Sequence, residues 1–337
     1  MGEPELPDAL RDELRAAWHR YLDLLIPLRP SLHAYCRRLA RDVWEAEDLV
    51  QDTLLKAFGT LGSLYQPVAN PRAYLLRIAT HLWIDRLRRR ESEAHALAAS
   101  ERPHGEPPVD RVAVGEAGAR LMQRLAPRER AAVVLKDVFD LSLEETAEVL
   151  ETTIGAIKAA LHRGRERLRA VDAEPAPARP APSRAFVDRF VELFNKADKE
   201  ALLALMIDEG STENLGVGYH YGAAAHRGSR GWFEGALGGH PEWPEWWRFD
   251  SQRAQRAVYR GEPLVLLLQT RRGKEAAVAV VRLDEEDGRL ARLRSYGFCP
   301  ETMREVCEEL GVPVLTGLYR APTPAGGNGG EEYSRGS

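Results

Sequence analysis

Cysteine is scarce in this sequence: Cys36, Cys299 and Cys307 are the only 3 in 337 residues. They are too few and too scattered for a disulfide framework or a zinc site, and they fit a reducing compartment. Long hydrophobic runs are missing as well. A stretch such as residues 264–268 is far too short to cross a bilayer, and the acidic N-terminus, MGEPELPDAL, has no apolar signal core. These absences predict a soluble, cytoplasmic protein with no membrane partner. An excess of one charge sign is also lacking. Lys plus Arg total 47 and Asp plus Glu 51, a formal net charge of -4, which on its face speaks against a nucleic-acid partner. That total is an average over domains, however, and an average can hide a basic half behind an acidic one.

What is present is a globular composition, 44% hydrophobic and 29% charged, in a chain longer than one hydrophobic core usually organises. Residues 91–116 read as a linker, polar and interrupted by Pro103, Gly105, Pro107 and Pro108. Residues 171–183 alternate alanine and proline, the composition of a semi-rigid spacer. Residues 321–337 have no apolar periodicity and are expected to be a disordered tail. Three pieces remain: 12–90, 117–170 and 184–320. The first two have helical periodicity. The third opens with one amphipathic helix, AFVDRFVELFNKADKEALLALM, and continues with strand-length segments separated by turn residues, which predicts an α+β domain with an antiparallel sheet.

The charges segregate within the helical pieces. In residues 45–58, Val50, Leu54, Ala57 and Phe58 share one helical stripe, while Asp48 and Asp52 lie at i and i+4 beside Glu45 and Gln51. Such a like-charged pair repels slightly, so this is either a solvated acidic face or a docking surface for a basic partner. The next helix, residues 71–90, opens with Pro71 and carries Arg72, Arg77, Arg86, Arg88, Arg89 and Arg90 against the single acid Asp85. Tyr74, His81 and Trp83 are interleaved. Cations that track phosphates and flat rings that stack on bases suit melted DNA; the competing reading makes Tyr74 and Trp83 core residues beside snorkelling arginines.

Ser142 and Glu145 form a capping box before LEETAEVL, followed by a short turn at residues 151–153 and the helix IGAIKAALHRGRERLR. Ile154, Ile157, Leu161, Gly164 and Leu168 are expected to form its buried stripe. Thr153, Gly155, Ala156, Ala159, His162 and Arg163 face away, flanked by Lys158 and Arg165. A helix-turn-helix with a basic, small-residue outer face fits a major groove. Lys158, Arg163, Arg165, Arg167 and Arg169 would then mainly engage phosphates. An ordinary helical hairpin is the alternative.

Together, EAEDLVQDTLLKAF, NPRAYLLRIATHLWIDRLRRR and LAPRERAAVVLKDVFDLSLEETAEVLETTIGAIKAALHRGRERLR resemble the two domains of an extracytoplasmic-function sigma factor. The resemblance covers about half the chain. It implies that residues 12–90 are a sigma region 2 domain and residues 117–170 a region 4 domain. Asp48, Leu49, Gln51 and Asp52 match the segment that docks on the clamp coiled coil of core RNA polymerase. Arg72, Tyr74, Arg77, His81, Trp83, Arg86, Arg88 and Arg89 lie in the helix matching the part that melts promoter DNA. Thr153, Lys158, His162, Arg163 and Arg165 lie in the helix matching the reader of the upstream element. The pattern departs from the family at Thr80 and His81, where Arg-Asn is common, and at Ala159 and Ala160, where Ser-Arg is usual; short side chains at 159 and 160 would make readout of the upstream element weak or shift it to Lys158, His162 and Arg163.

Residues 184–320 resemble a SnoaL-like, nuclear-transport-factor-type cone, a helix wrapped by a curved antiparallel sheet around a pocket. Several sigma factors carry such a domain as a modulator, which implies here a contact of this domain with the sigma domains. The glycine-rich motif of one such group is absent. Relatives of the cone fold that are enzymes use an acid or base inside it, and Asp208, His220 and His226 are the residues available for that chemistry. Trp243, Trp246 and Trp247 form an aromatic cluster read as packed core or as a contact with the sigma domains. The resulting expectation is a non-enzymatic, multidomain protein: two all-α sigma domains, the second with a helix-turn-helix, plus an α+β SnoaL-like domain. It directs RNA polymerase to promoters without cofactor or metal. A helix-turn-helix regulator acting without polymerase, and an isomerase or cyclase working through the cone, are the alternatives.

Overall fold

The computed structural model describes residues 8–40, 42–61, 67–100, 125–169, 181–222, 232–238, 249–316 and 319. Two compact units divide the chain, Met1–Pro177 and Ala178–Ser337. The linker core at 101–116, most of the Pro/Ala spacer, His226, the Trp243/Trp246/Trp247 cluster and the tail lie outside the described residues.

In the first unit, α1 (Asp8–Leu25) and α2 (Arg29–Leu39) are joined by a single 3-10 turn whose proline stops α1 from continuing. Helices α3 (Val43–Leu61) and α4 (Pro71–Ser100) complete the first helical group. Asn70 starts α4 by accepting a hydrogen bond from the Ala73 amide at 3.0 Å, with Pro71 in the first turn. Residues 91–100, expected as linker, continue α4. They are rich in alanine and glutamate, strong helix formers, and the first proline comes only at Pro103.

The second helical group is α5 (Pro127–Val133), a π-helical turn at Val134–Val138, α6 (Leu143–Val149) and α7 (Ile154–Arg169). The two groups share one buried cluster, in which Leu49, Leu76 and Trp83 join Val133, Leu135 and Ile157. A buried cation ties them. Arg130 donates to the Leu39 carbonyl at the end of α2 (2.8 Å), and its guanidinium lies 5.0 Å from the centroid of the Trp83 ring.

In the second unit the expected single amphipathic helix is two, α8 (Arg184–Asn195) and α9 (Lys199–Leu205). Ala197 takes a left-handed φ of 52°, and Asp198 restarts the helix by accepting from the Ala201 amide at 3.0 Å. Strands β1 (Met206–Asn214), β2 (Gly218–Tyr221), β3 (Ser251–Tyr259), β4 (Glu262–Arg271), β5 (Lys274–Glu286) and β6 (Arg289–Ser295) form one sheet in the order β2-β1-β6-β5-β4-β3. Helix α10 (Trp232–Gly238) lies between β2 and β3 in sequence, and α11 (Pro300–Leu310) follows β6.

The four hairpin-linked strands β3 to β6 are antiparallel, joined by two-residue turns Arg260–Gly261, Arg272–Gly273 and Asp287–Gly288 with positive φ at every position. That backbone matches the twist of a hairpin and explains the glycine in each second place. β1, however, pairs parallel with β6, so the sheet is mixed rather than antiparallel throughout. β1 was invisible as a strand because MIDEGSTEN carries acids, glycine and asparagine in place of alternating β-branched residues.

Phe186, Val187, Phe190 and Phe194 of α8 pack with Val265, Leu267, Val281, Leu283 and Leu293 on one sheet face. The alternating residues Leu264 and Leu266 are buried on the other face, with α11 packed against β3 and β5. Asn195 clamps β3 by donating to the Ala254 carbonyl (3.0 Å) and accepting from its amide (2.7 Å).

Candidate nucleic-acid interface

The exposed residues of α3 are Asp52, Leu55, Lys56, Gly59 and Leu61. Asp52 is exposed and Asp48 half-buried. Leu49 is wholly buried and Gln51 nearly so, its amide donating to Glu47 Oε1 at 2.7 Å while Arg29 donates to the same oxygen at 2.6 Å. Leu49 and Gln51, expected on the docking surface, are therefore buried in the folded unit, Leu49 in the shared core and Gln51 against Glu47. Leu55, exposed at 42%, is the apolar residue that lies open on α3 after Asp52. An apolar residue off the core stripe and three places after an acid was the signal that could have found it.

Opposite charges from α4 meet this face. Arg86 donates to Asp52 Oδ2 (2.5 Å) and to the Asp48 carbonyl (3.2 Å), and Arg90 reaches Glu45 at 2.5 Å. The sequence assigned Asp52 to polymerase and Arg86 to DNA, whereas in the folded unit each is the other's partner.

Trp83 departs furthest from expectation. It is 1% exposed, at the helical spacing of Leu76, Ala79 and Thr80, all buried. Its indole cannot stack on an unpaired base. Thr80, where the family commonly has arginine, donates to the Leu76 carbonyl (2.7 Å) and so accepts from Tyr35 (2.7 Å). Tyr74 is half-buried, packed on the same core.

The open side of α4 carries Arg77, His81, Arg88 and Arg89, with Arg72 at its start. A cleft of about 450 Å³ lies here. Ile78 and Leu82 line it together with Lys56 of α3, His81 and Arg88 of α4, and Arg128 of α5. Asp85 also lines it, 3.6 Å from Arg88. Apolar residues flanked by cations can hold a flat base and its phosphate together.

In the helix-turn-helix the capping box forms as expected: Glu145 N donates to Ser142 Oγ (3.0 Å), and Ser142 N to Glu145 Oε2 (2.8 Å). The hydrogen bonds from Ser142 hold the Glu145 carboxyl below its ordinary range. Ile157, Leu161 and Gly164 are buried on α7, but Ile154 is exposed at 37% and Ala160, expected on the outer side, is buried.

Thr153, Gly155, Ala156, Ala159 and His162 face solvent. Arg163, Arg165 and Arg167 of α7 are committed inside the unit. Arg163 and Arg167 pair with buried Glu129 (2.9 and 2.6 Å), and Arg165 grips Asp137 through two hydrogen bonds that raise its pKa further. His162 lies 3.3 Å from Glu166. Among the described side chains of α7, Lys158 is the cation without a carboxylate partner. The basic face is thus narrower than the sequence suggested, because carboxylates distant in sequence neutralise it.

In the second unit Asp208 is exposed on β1, and His220 is half-buried on β2 opposite Thr212. Cys36, Cys299 and Cys307 are buried thiols; burial raises the pKa of Cys36, and that of Cys307 to about 11. No group of residues suited to holding a metal occurs among the described residues, and no helix there is long and apolar enough to cross a membrane.

Residues 24–93 match the family Sigma-70 region 2, and residues 119–168 match Sigma-70, region 4. SigW of Bacillus subtilis, an ECF RNA polymerase sigma factor, is 30% identical over 163 residues, 44% of this chain and 87% of that protein. The chain belongs to the ECF RNA polymerase sigma factors. Region 2 of this sigma factor spans α2, α3 and most of α4, and region 4 spans α5 to α7. The ECF sigma factor SigG of Mycobacterium tuberculosis is 29% identical over 232 residues, 59% of this chain and 62% of that protein. The crystal structure of SigJ from Mycobacterium tuberculosis aligns with 81% of this sigma factor and 95% of that chain, at 19% identity and a TM-score of 0.31.

Proposed function

We propose that this sigma factor confers promoter recognition on RNA polymerase and starts transcription, working in the cytoplasm as an accessory protein and not as an enzyme. Asp48, Asp52 and Leu55 of α3 dock on a basic face of the polymerase clamp, where polymerase cations exchange with Arg86 for Asp52. Arg72, Arg77, His81, Arg88 and Arg89 bind the backbone of the melted strand, and a base rests on Ile78 and Leu82 in the cleft. The outer face of α7, from Thr153 through Lys158 to His162, enters the major groove of the upstream element. With Arg163 and Arg165 held by Glu129 and Asp137, those two orient α7 and Lys158 supplies its leading phosphate contact.

The observation that carries this reading is the placement of Asp52 and Leu55, exposed on α3, beside a cleft in which Ile78 and Leu82 are flanked by Lys56 and Arg88 of region 2 and Arg128 of region 4. A regulator that acted without polymerase would have no use for the first. Residues 184–320 are proposed to be a SnoaL-like regulatory domain, a reading supported by a pair of helices laid across one face of a six-stranded sheet.

Transcription reconstituted with core polymerase on candidate promoters tests both parts. The full chain yields promoter-dependent transcripts, and Asp52→Arg lowers them by about tenfold or more through lost charge complementarity. No promoter-dependent transcript from the wild-type protein would sink the sigma reading. Deleting residues 184–337 changes the output of an active promoter, and unchanged output would refute the regulatory role.

A further inference from the structure

Helix α6 ends in a left-handed turn. Thr152 N donates to the Ala147 carbonyl (3.0 Å) and Glu151 N to the Glu148 carbonyl (3.2 Å), with Glu151 at φ 48°. This is the helix ending in which glycine is the usual left-handed residue, because it adopts positive φ without strain. A glutamate there keeps a carboxylate at a backbone cost, so where the carboxylate goes is informative. Its Oε2 lies 3.6 Å from His81 Nε2 and its Oε1 4.0 Å from Arg77 Nη1, while Arg77 Nη2 donates to Glu148 Oε1 at 3.0 Å. On the same side, the Arg72 guanidinium lies 5.8 Å over the Phe139 ring. Three of the five residues assigned above to the melted strand are thus met by region 4, Arg77 and His81 by the segment that immediately precedes the reading helix α7 and Arg72 by Phe139 before α6.

We propose that Glu148 and Glu151 act as phosphate mimics in the free sigma factor, masking Arg77 and His81 of α4 until the promoter strand displaces them. The inference rests on the reading of α4 as the strand-binding helix and adds how that site is regulated. Both carboxylates are solvent-exposed and Arg77 is half-buried, the side chains of Glu148, Glu151 and Arg77 at 62%, 58% and 31%. Ion pairs of that kind are individually weak, so a polyanion displaces them readily and the contact works as a reversible shield. The coupling also links the two DNA-reading elements: freeing α4 frees the turn that aims α7.

The test uses the full chain without polymerase and a fluorescein-labelled oligothymidylate of about 20 nucleotides, followed by anisotropy. The pair Glu148→Gln with Glu151→Gly removes the shield and relieves the left-handed backbone. It binds the oligonucleotide about three- to tenfold more tightly, with a thermal midpoint at or above that of the wild type. The gain disappears when Arg77→Ala and His81→Ala are added. A control pair, Asp140→Asn with Glu144→Gln, removes equal charge from the same region at residues that make no ion pair with α4, Asp140 being paired with Lys136. If the control tightens binding equally, or the shield variant does not tighten it, the masking is overturned. If Arg88→Ala with Arg89→Ala, which removes strand-binding cations that Glu148 and Glu151 do not touch, leaves oligonucleotide binding unchanged in the wild-type background, the reading of α4 itself fails, a result distinct from failure of the mask alone.

Discussion

Trp83 and Lys158 have opposite fates although the sequence offered both as DNA contacts. Trp83 is sealed in the core against Arg130, whereas Lys158 is exposed on α7. Trp83→Ala lowers unfolding free energy by about 3–5 kcal/mol in denaturant titrations, the cost of emptying a large buried site. Lys158→Ala leaves that value within about 0.5 kcal/mol. It weakens promoter binding by the holoenzyme and reduces the slope of log affinity against log salt by about one. A reversed pattern would return Trp83 to the DNA. Ser142 carries a third prediction: Ser142→Ala removes the cap of α6 and costs about 1 kcal/mol. Because the Glu145 carboxyl is held below its ordinary range in the folded protein, the box stabilises fully above that range and loses its effect as pH falls through the lowered pKa. The Ser142 backbone N–H, the larger cause, survives Ser142→Ala, so the acid side of the stability profile is flatter in a Glu145→Gln variant, which has no carboxyl to titrate. The capping box was legible from Ser142 and Glu145 alone because its geometry is local. The fate of Trp83 was not, since a tryptophan among arginines has the same pattern whether it meets a base or a neighbouring helix.

At the scale of elements, the close approach of α5 and α7 depends on Gly164. A Cβ there would lie 2.9 Å from Val133 Cγ2, a stiff, buried side chain. Gly164→Leu overpacks this contact and costs about 1–3 kcal/mol, lowering the thermal midpoint of the helical unit and, with α7 displaced, its promoter affinity. An unchanged midpoint would show that α7 can shift without loss. The sequence placed Gly164 on the buried stripe correctly, and it read β3 to β6 as strand-length segments separated by turn residues. It missed β1 and the break between α8 and α9. β1 is made a strand by pairing on both sides with β2 and β6, and a one-residue left-handed step at Ala197 leaves the apolar periodicity of its flanks intact. Neither feature leaves a local trace.

Over the whole molecule, the formal charge of -4 is a sum of unlike parts, and many of the parts cancel within the first unit. Asp52 with Arg86, Glu45 with Arg90, and Glu129 with Arg163 and Arg167 are closed pairs between residues more than thirty positions apart. The second unit has its own buried cluster, built from α8, α9 and the sheet. Residues 178–337 expressed alone therefore unfold in one cooperative thermal transition with a strand-rich circular-dichroism spectrum, and a spectrum without that signature would show that this core needs the rest of the chain.

The sequence by itself determined the order of the helical pieces, the capped helix-turn-helix, the acidic and basic helices and the hairpins. All of these rest on periodicity, caps and turn chemistry within a few residues. Tertiary structure decided which charges remain available. A cation becomes a DNA contact or an internal partner according to whether folding brings a carboxylate within a few ångströms: Glu129 and Asp137 reach their arginines only when α5 and the turn after it pack on α7, and Glu148 and Glu151 reach Arg77 only when the two helical groups of the first unit close on one core.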